Sequence, residues 1–374
     1  MLNYENPGRV WHVYVKPLLR YATPRKAWNA LRTEWAYRCR RDDVRTLPYI
    51  LHVEPVYHCN LHCPLCEREL HPDPRPKPAR RLSLDLYERV LDELGDYLFQ
   101  CHIFGLGEPL IDWPLTREVI ERTHRRRIFT LVSTNCTLVT PRMADEIAAS
   151  SLDYLVCAID GVTQASYGAY RVGGRVEVAL RNLWLLADAR RRQRSRLEIE
   201  WQFLVNAHNV SEIPRARAMA REMGVRLRLA PMRGMEWEPA LERKWLPHAP
   251  EWGHMRQDPD APRHGWHCYW LWRGAVVRSD GELARCPVYQ NLGRMGNLAD
   301  RSVMSLYNGE SSRRARQLFR RGPVAPGDFP LPCRNCNQYR REHGGAYRAR
   351  SGVIALTARE ATEEEDRTRD GASP

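Results

Sequence analysis

The chain has 374 residues, 43% apolar and 28% charged, which suits a folded globular protein and excludes a collagen-like or wholly disordered one. Its 58 Lys and Arg against 45 Asp and Glu leave a net charge of +13, scattered as a solvated basic surface. The first residues lack a signal-peptide core and no run approaches the ~18 apolar residues of a spanning helix, so the expected setting is cytoplasmic and the eleven cysteines point to metal ligands and buried apolar positions rather than disulfides.

Residues 1–47 are aromatic and basic. The stretch PRKAWNALRTEWAYRC predicts a helix with Trp28, Leu31, Trp35 and Cys39 on one stripe. That stripe is expected to dock on the main domain, with weak contact to a membrane or a partner as the alternative.

From 48 to 233 the pattern alternates. Strand-like runs are YILHVEPV, QCHIFGL, IFTLVST, DYLVCAI, LEIEWQFLV and VRLRLAPM. Between them fall helices opened by Ser83 and by Thr140-Pro141, one over Val176–Ala189 whose stripe includes Trp184, and one from Ser211 stopped by Gly224. Six strands alternating with helices imply an α/β fold with a parallel sheet, too short for a closed eight-stranded barrel. In such folds chemistry sits at the C-terminal ends of the strands. The polar and glycine motifs do follow the strands: the cysteine triplet, GLGEP (105–109), STNCT (133–137), Asp160-Gly161 and Asn206–Asn209.

Residues 234–264 lack periodicity and read as a linker. Residues 265–346 form a second unit with four cysteines, and 347–374 read as a charged, disordered tail.

The segment YHCNLHCPLC holds Cys59, Cys63 and Cys66. Thiolates select zinc, copper(I) or iron–sulfur clusters, and a structural zinc site wants four closed ligands. Three thiolates on a [4Fe–4S] cluster leave one iron with an open position. His58 or His62 completing a zinc site is the alternative.

C-x3-C-x2-C directly after the first strand of a β/α repeat resembles the radical S-adenosylmethionine (SAM) enzymes. The resemblance implies a partial (β/α)6 barrel over residues 48–235 with a SAM-binding [4Fe–4S] cluster on the triplet. It also implies SAM contacts from Gly107, Glu108 and Pro109 (a GGEP-like motif), Ser133 and Asn135 (STNG-like), Asp160 (SIDG-like), Arg171 and Gln202. Departures are Leu65 for an aromatic residue, Leu106 for the first glycine of GGEP, Cys136 for the glycine of STNG and Ala158 for the serine of SIDG.

Beyond the linker, Cys268, Gly281-x4-Cys286 and Cys333-x2-Cys336 are similar to the SPASM/twitch extension of a subset of these enzymes. Four cysteines suit one auxiliary [4Fe–4S] cluster, with a zinc ribbon as the alternative. Cys101 and Cys157 are expected to be inert core thiols, whereas Cys136 lies on the functional rim.

The resemblance implies that an external donor of the flavodoxin or ferredoxin type supplies one electron, that SAM is cleaved to methionine and a 5′-deoxyadenosyl radical, and that this radical abstracts hydrogen from the substrate. A second cluster then suits a two-electron oxidised product. Tyr289, Asp280 and Glu282 are candidate proton acceptors. A small molecule such as a sugar or cyclitol is the expected substrate, because 47 residues fall short of a leader-binding domain. Peptide maturation is the alternative, and a non-catalytic electron carrier is a third reading. Nucleic acid is not an expected partner, for want of an RNA-binding module.

Overall fold

The computed structural model describes residues 9–73, 81–232, 239–247, 268–291, 293–320 and 333. Six parallel strands form its centre: β1 (Ile50–Val53), β2 (Gln100–Ile103), β3 (Phe129–Thr134), β4 (Tyr154–Ala158), β5 (Glu198–Val205) and β6 (Arg226–Pro231). They pair in chain order and do not close on themselves. On the free side of β1 lies β7 (Gly274–Val277), parallel to it, followed by antiparallel β8 (Glu282–Ala284) and β9 (Arg294–Asn297). The second unit therefore continues the barrel's own sheet, which has nine strands among the described residues.

Helices surround this sheet. The N-terminal ones are α1 (Val10–Val15, a π-helical turn), α2 (Lys16–Tyr21) and α3 (Pro24–Arg38). Along the barrel run α4 (Glu67–Leu70), α5 (Leu84–Leu94), α6 (Trp113–Arg125), α7 (Pro141–Ala149), α8 (Gln164–Tyr170), α9 (Val176–Arg192) and α10 (Ile213–Met223). The rest are α11 (Pro239–Trp245), α12 (Trp270–Arg273), α13 (Val303–Tyr307) and α14 (Glu310–Gln317). None is long and apolar enough to cross a membrane.

The expected caps are in place. Ser83 Oγ accepts from Leu86 N at the start of α5, and Thr140 Oγ1 from Met143 N at the start of α7. Gly224 ends α10 in the left-handed conformation, φ 66°. Helix α10 begins two residues later than Ser211, after a 3-10 turn over Val210–Glu212.

The strands have two apolar faces. Leu155, Cys157, Trp201 and Phe203 join the helices in the large core. Phe129, Leu131, Tyr154 and Val156 face the barrel interior, where Val13 and Tyr21 from α1 and α2 pack against them. The N-terminal segment thus plugs the barrel.

Helix α3 corrects the expectation for its stripe. Trp28, Leu31 and Trp35 are 64%, 64% and 62% exposed, and Cys39 is exposed as well. The buried side is instead Lys26, Asn29, Thr33, Ala36 and Tyr37. Polar residues turn inward because they satisfy backbone groups. Lys26 Nζ donates to Arg127 O (2.6 Å) just past the C-terminus of α6, and Asn29 brackets both backbone groups of Leu47. Trp184 on α9 is 47% exposed, also against expectation. Helix α11 falls inside the stretch read as a linker; the remainder of that stretch past Trp245–Pro247, and the tail, lie outside the described residues.

A hydrogen-bonded chain crosses the plugged end. Gln100 Nε2 donates to Val13 O at 2.6 Å, so Gln100 Oε1 accepts from His102 Nε2 (3.0 Å), and His102 Nδ1 accepts from His52 Nε2 (3.0 Å). Burial depresses both imidazoles, His102 to about 3 and His52 well below its ordinary value. Unfolded histidines titrate near 6.5, so as pH falls below that value the unfolded chain binds protons that the folded one refuses. Each ring then removes up to about 1.4 kcal/mol of stability per pH unit. Urea midpoints should fall on acidification from neutral pH, and His102→Gln, compared at equal cluster loading, should flatten the fall. Equal slopes for the two proteins would refute neutral burial of this ring.

Candidate functional site

The site is built on the rim where β1 to β6 end. Past Val53, Glu54 is fully buried, and its carboxylate accepts from Leu106 N (2.8 Å) and Ser279 Oγ (2.7 Å). It ties β1 to the loop after β2 and to the end of β7. Gly107 sits where that loop crosses the cysteine loop: a Cβ there would lie 2.0 Å from Val56 O and 2.7 Å from His58 O. Only glycine allows so close an approach.

The cysteine loop is closed from within. Cys66 N donates to Cys63 O (3.0 Å), and Arg68 reaches back to Cys59 O (3.1 Å) and to Leu61 O. Cys59, Cys63 and Cys66 are all free thiols. Burial pushes the Cys59 thiol up and the Cys66 thiol up to about 11, so cluster binding must displace their protons. His62, an alternative fourth ligand, is largely exposed and lies 3.2 Å from Glu69.

Two nitrogen donors approach the sulfurs. Asn135 Nδ2 lies 3.8 Å from Cys59 Sγ, and Arg171 Nη1 lies 3.6 Å from Cys63 Sγ. Arg171 is anchored by Asp160 Oδ2 at 2.6 Å, while Asp160 Oδ1 accepts from Leu204 N (2.7 Å). Burial opposes the charge on Arg171, but Asp160 and Cys63 outweigh it and hold the guanidinium well above its ordinary range. Soft donors with a cation and an amide aimed at them suit an anionic iron–sulfur cluster.

Glu108 is held from within the rim as well as belonging to the GGEP-like motif. Its buried carboxylate accepts from Thr134 Oγ1 (2.7 Å), Asn135 N (2.7 Å) and Leu110 N (3.1 Å). Burial raises its pKa, with these bonds working the other way. The side chain joins the loops after β2 and β3. Pro109 is buried and opens the 3-10 turn that follows. Cys136 has φ 64°, the backbone conformation that the glycine of STNG would supply, and its buried thiol faces Cys157 rather than the rim. Ser133 is half-buried on β3, and Gln202 on β5 accepts from Arg228. The structure thus brings together Cys59, Cys63, Asn135, Asp160 and Arg171, while Gln202 is engaged with β6.

In the second unit, Cys268 precedes α12, Gly281 turns β7 into β8 with φ 82°, and Cys286 follows β8. Cys333 is buried; Cys336 lies outside the described residues. Burial pushes Cys286 up to about 12 and raises Cys333 too. Beside them Arg285 is 3% exposed, and among the described residues it donates to Arg294 O and Ser311 Oγ while its Nε has no partner there. A buried cation without a carboxylate is costly unless an anion compensates it. A thiolate-bound iron–sulfur cluster is such an anion, so the residues present fit one. Asp280, a candidate proton acceptor, is 3.5 Å from Arg278, and Tyr289 is buried.

Sequence reasoning missed the link between the two cysteine loops. Glu67, directly after Cys66, accepts from Gln290 N (2.6 Å) and Asn291 N (2.7 Å), just past Cys286. A carboxylate beside a ligand cysteine was visible in the chain, but nothing local names a partner more than two hundred residues away.

The family model for the radical SAM superfamily matches residues 53–196, and that for an iron–sulfur cluster-binding domain, SPASM, matches residues 268–337. The PqqA peptide cyclase of Gluconobacter oxydans is 24% identical over 333 residues, covering 83% of this chain and 87% of that protein. The mycofactocin maturase MftC of Mycobacterium ulcerans is 29% identical over 50% of this chain and 48% of its own length. Among solved structures, Streptococcus suis SuiB bound to its precursor peptide SuiA superposes with a TM-score of 0.58 at 13% identity, covering 88% of this chain and 80% of that one. With the open parallel barrel, the three-thiol loop on its rim and the second cysteine-bearing unit, these matches make the chain a radical SAM superfamily enzyme that uses a [4Fe–4S] cluster and S-adenosylmethionine and carries a C-terminal SPASM domain with auxiliary iron–sulfur.

Proposed function

We propose that the chain modifies a peptide, as the PqqA peptide cyclase does by its name, rather than the small metabolite expected from the short N-terminal segment. The observation that carries this is the extent of that likeness, which runs through both units over 83% of the chain. Cys59, Cys63 and Cys66 hold the SAM-binding cluster, and Cys268, Cys286, Cys333 and Cys336 hold the auxiliary one. The cluster and SAM, when bound, supply the 5′-deoxyadenosyl radical that takes a hydrogen atom from the substrate. Arg171 places a fixed positive charge at Cys63, Asn135 orients the loop at Cys59, and Glu54 and Glu67 hold the barrel rim against the second unit. An external one-electron donor completes the system.

The test is turnover with the short peptide encoded nearest this chain's gene. Reconstituted protein with SAM and a reductant should form 5′-deoxyadenosine above the peptide-free background, and the peptide should lose two hydrogens by mass. An unchanged peptide alongside turnover of a sugar or cyclitol would reverse the reading in favour of a small molecule.

Arg285 supplies a separate check on the second cluster. A fixed positive charge beside a cluster favours its more negative, reduced form. Arg285→Gln should lower the auxiliary midpoint potential in a spectroscopic titration while Arg285→Lys stays nearer to the wild type. Equal potentials in all three proteins would mean that this guanidinium does not face the cluster.

A further inference from the structure

Exposed large apolar side chains are concentrated at one end of the chain. Among the described residues these are Trp11, Tyr14, Leu18, Leu19, Trp28, Leu31 and Trp35 within α1 to α3, against only Ile111, Val172, Trp184 and Met304 in all the rest. Leu19 is 73% exposed, the highest of the set. Isolated exposed apolar residues need no explanation, but a concentration of them does.

Helical geometry puts three of them on one ridge. At 3.6 residues per turn, Trp28, Leu31 and Trp35 project from the same side of α3, with Arg25 and Arg32 along one flank and Arg38 along the other. All six are exposed. The inward side of α3 is already satisfied through Lys26, Asn29 and Tyr37, so the ridge plays no part in folding the helix onto the barrel. Charge is equally one-sided. Residues 9–41 contain nine Lys and Arg and a single acid, Glu34. Arg9, Lys16, Arg20 and Arg25 pair with Glu200, Glu198, Asp153 and Asp96 and Lys26 is buried, so the exposed Arg32 and Arg38 on the two flanks carry the outward charge. Glu34 is engaged from the protein side by Tyr49 (2.6 Å) and Arg273 (2.6 Å), so it does not neutralise the outer face.

We propose that this Trp–Leu–Trp ridge with its arginine flanks docks the enzyme on an anionic phospholipid surface. Tryptophan partitions to the boundary between headgroups and acyl chains, leucine enters the apolar layer, and arginine pairs with lipid phosphate. A protruding ridge suits a soft, flat surface, which needs no complementary pocket. Tyr14, Leu18 and Leu19 extend the apolar exposure through the helices that plug the barrel, the end opposite the rim that carries Cys59, Cys63 and Cys66. Docking there leaves the rim open to substrate. The adhesion is peripheral and electrostatic, in keeping with the absence of a spanning helix among the described residues.

The experiment is co-sedimentation of the reconstituted full-length protein with vesicles of phosphatidylcholine alone, or of phosphatidylcholine and phosphatidylglycerol in equal parts. The wild type should bind the mixed vesicles at least tenfold more tightly, and added salt should weaken that binding. The triple variant W28S/L31S/W35S should lose at least tenfold in affinity for the mixed vesicles. R25Q/R32Q/R38Q should lose the preference for anionic lipid. Both variants alter exposed side chains, so SAM cleavage should match the wild type and report intact folding. Three results overturn the proposal. The wild type stays in the supernatant with mixed vesicles; or the triple variant sediments as well as the wild type; or the wild type ignores vesicles and instead forms a dimer, or binds a soluble acidic peptide, through the same three apolar residues.

Discussion

Replacing Cys59, Cys63 and Cys66 together with alanine is expected to abolish 5′-deoxyadenosine formation. These sulfurs supply the soft donors on the rim, and Arg171 and Asn135 are aimed at two of them. The loop should survive the change. Arg68 holds two of its carbonyls, Glu67 anchors the helix after it to Gln290 and Asn291, and Glu108 N donates to His58 O at 2.8 Å. None of those bonds uses a thiol. Iron analysis should therefore show the SAM-binding cluster lost and the auxiliary cluster retained, about four irons remaining. If the triple variant still cleaves SAM under reducing conditions, the catalytic cluster is elsewhere.

The second large effect concerns the other cysteines. Fully reconstituted wild type is expected to carry about eight irons, four on each [4Fe–4S] cluster. Cys286→Ala with Cys333→Ala should remove about four of them and leave SAM cleavage measurable while halting formation of the product, a modified peptide on the function proposed above. The reason is separation of roles: Cys59, Cys63 and Cys66 would hold the cluster that supplies SAM cleavage, whereas Cys286 and Cys333 belong to the unit joined to β1 through β7. Removing ligands can also cost the folding energy that a cluster supplies. SAM binding by the double variant, measured by equilibrium dialysis, distinguishes the two, since a collapsed barrel would not bind it. About four irons with stoichiometric zinc in the wild type would remove the auxiliary cluster and the oxidative outcome together.

The parts of this protein that could be read from its sequence are those set by neighbours along the chain. The C-x3-C-x2-C spacing, the caps at Ser83 and Thr140, the stop at Gly224 and the alternation of strand and helix all rest on interactions a few residues long. Even Gly107 was legible as a glycine in a motif, although its reason, the carbonyls of Val56 and His58, is tertiary.

Side chains whose meaning depends on distant partners were not legible. Glu108 sits in a motif that resembles a SAM-contact segment, and only the fold shows that its carboxylate also accepts from Thr134 and Asn135 at the end of β3. Glu54, Glu67 and Arg285 gave no local sign, because their partners or compensating charges come from elements far away in the chain. On α3 the same helical period offers two faces. Apolar content chose Trp28, Leu31 and Trp35 as the inner one, and only the fold shows that Lys26 and Asn29 face inward. By itself the sequence determined the six barrel strands, the capped helices between them, their order and the cysteine spacing, because hydrophobic period, capping and motif spacing are short-range. The tertiary structure alone decided which charges are paired, which face of a helix is buried and how the second unit extends the sheet. Those outcomes depend on which backbone and side-chain groups meet after the chain has folded.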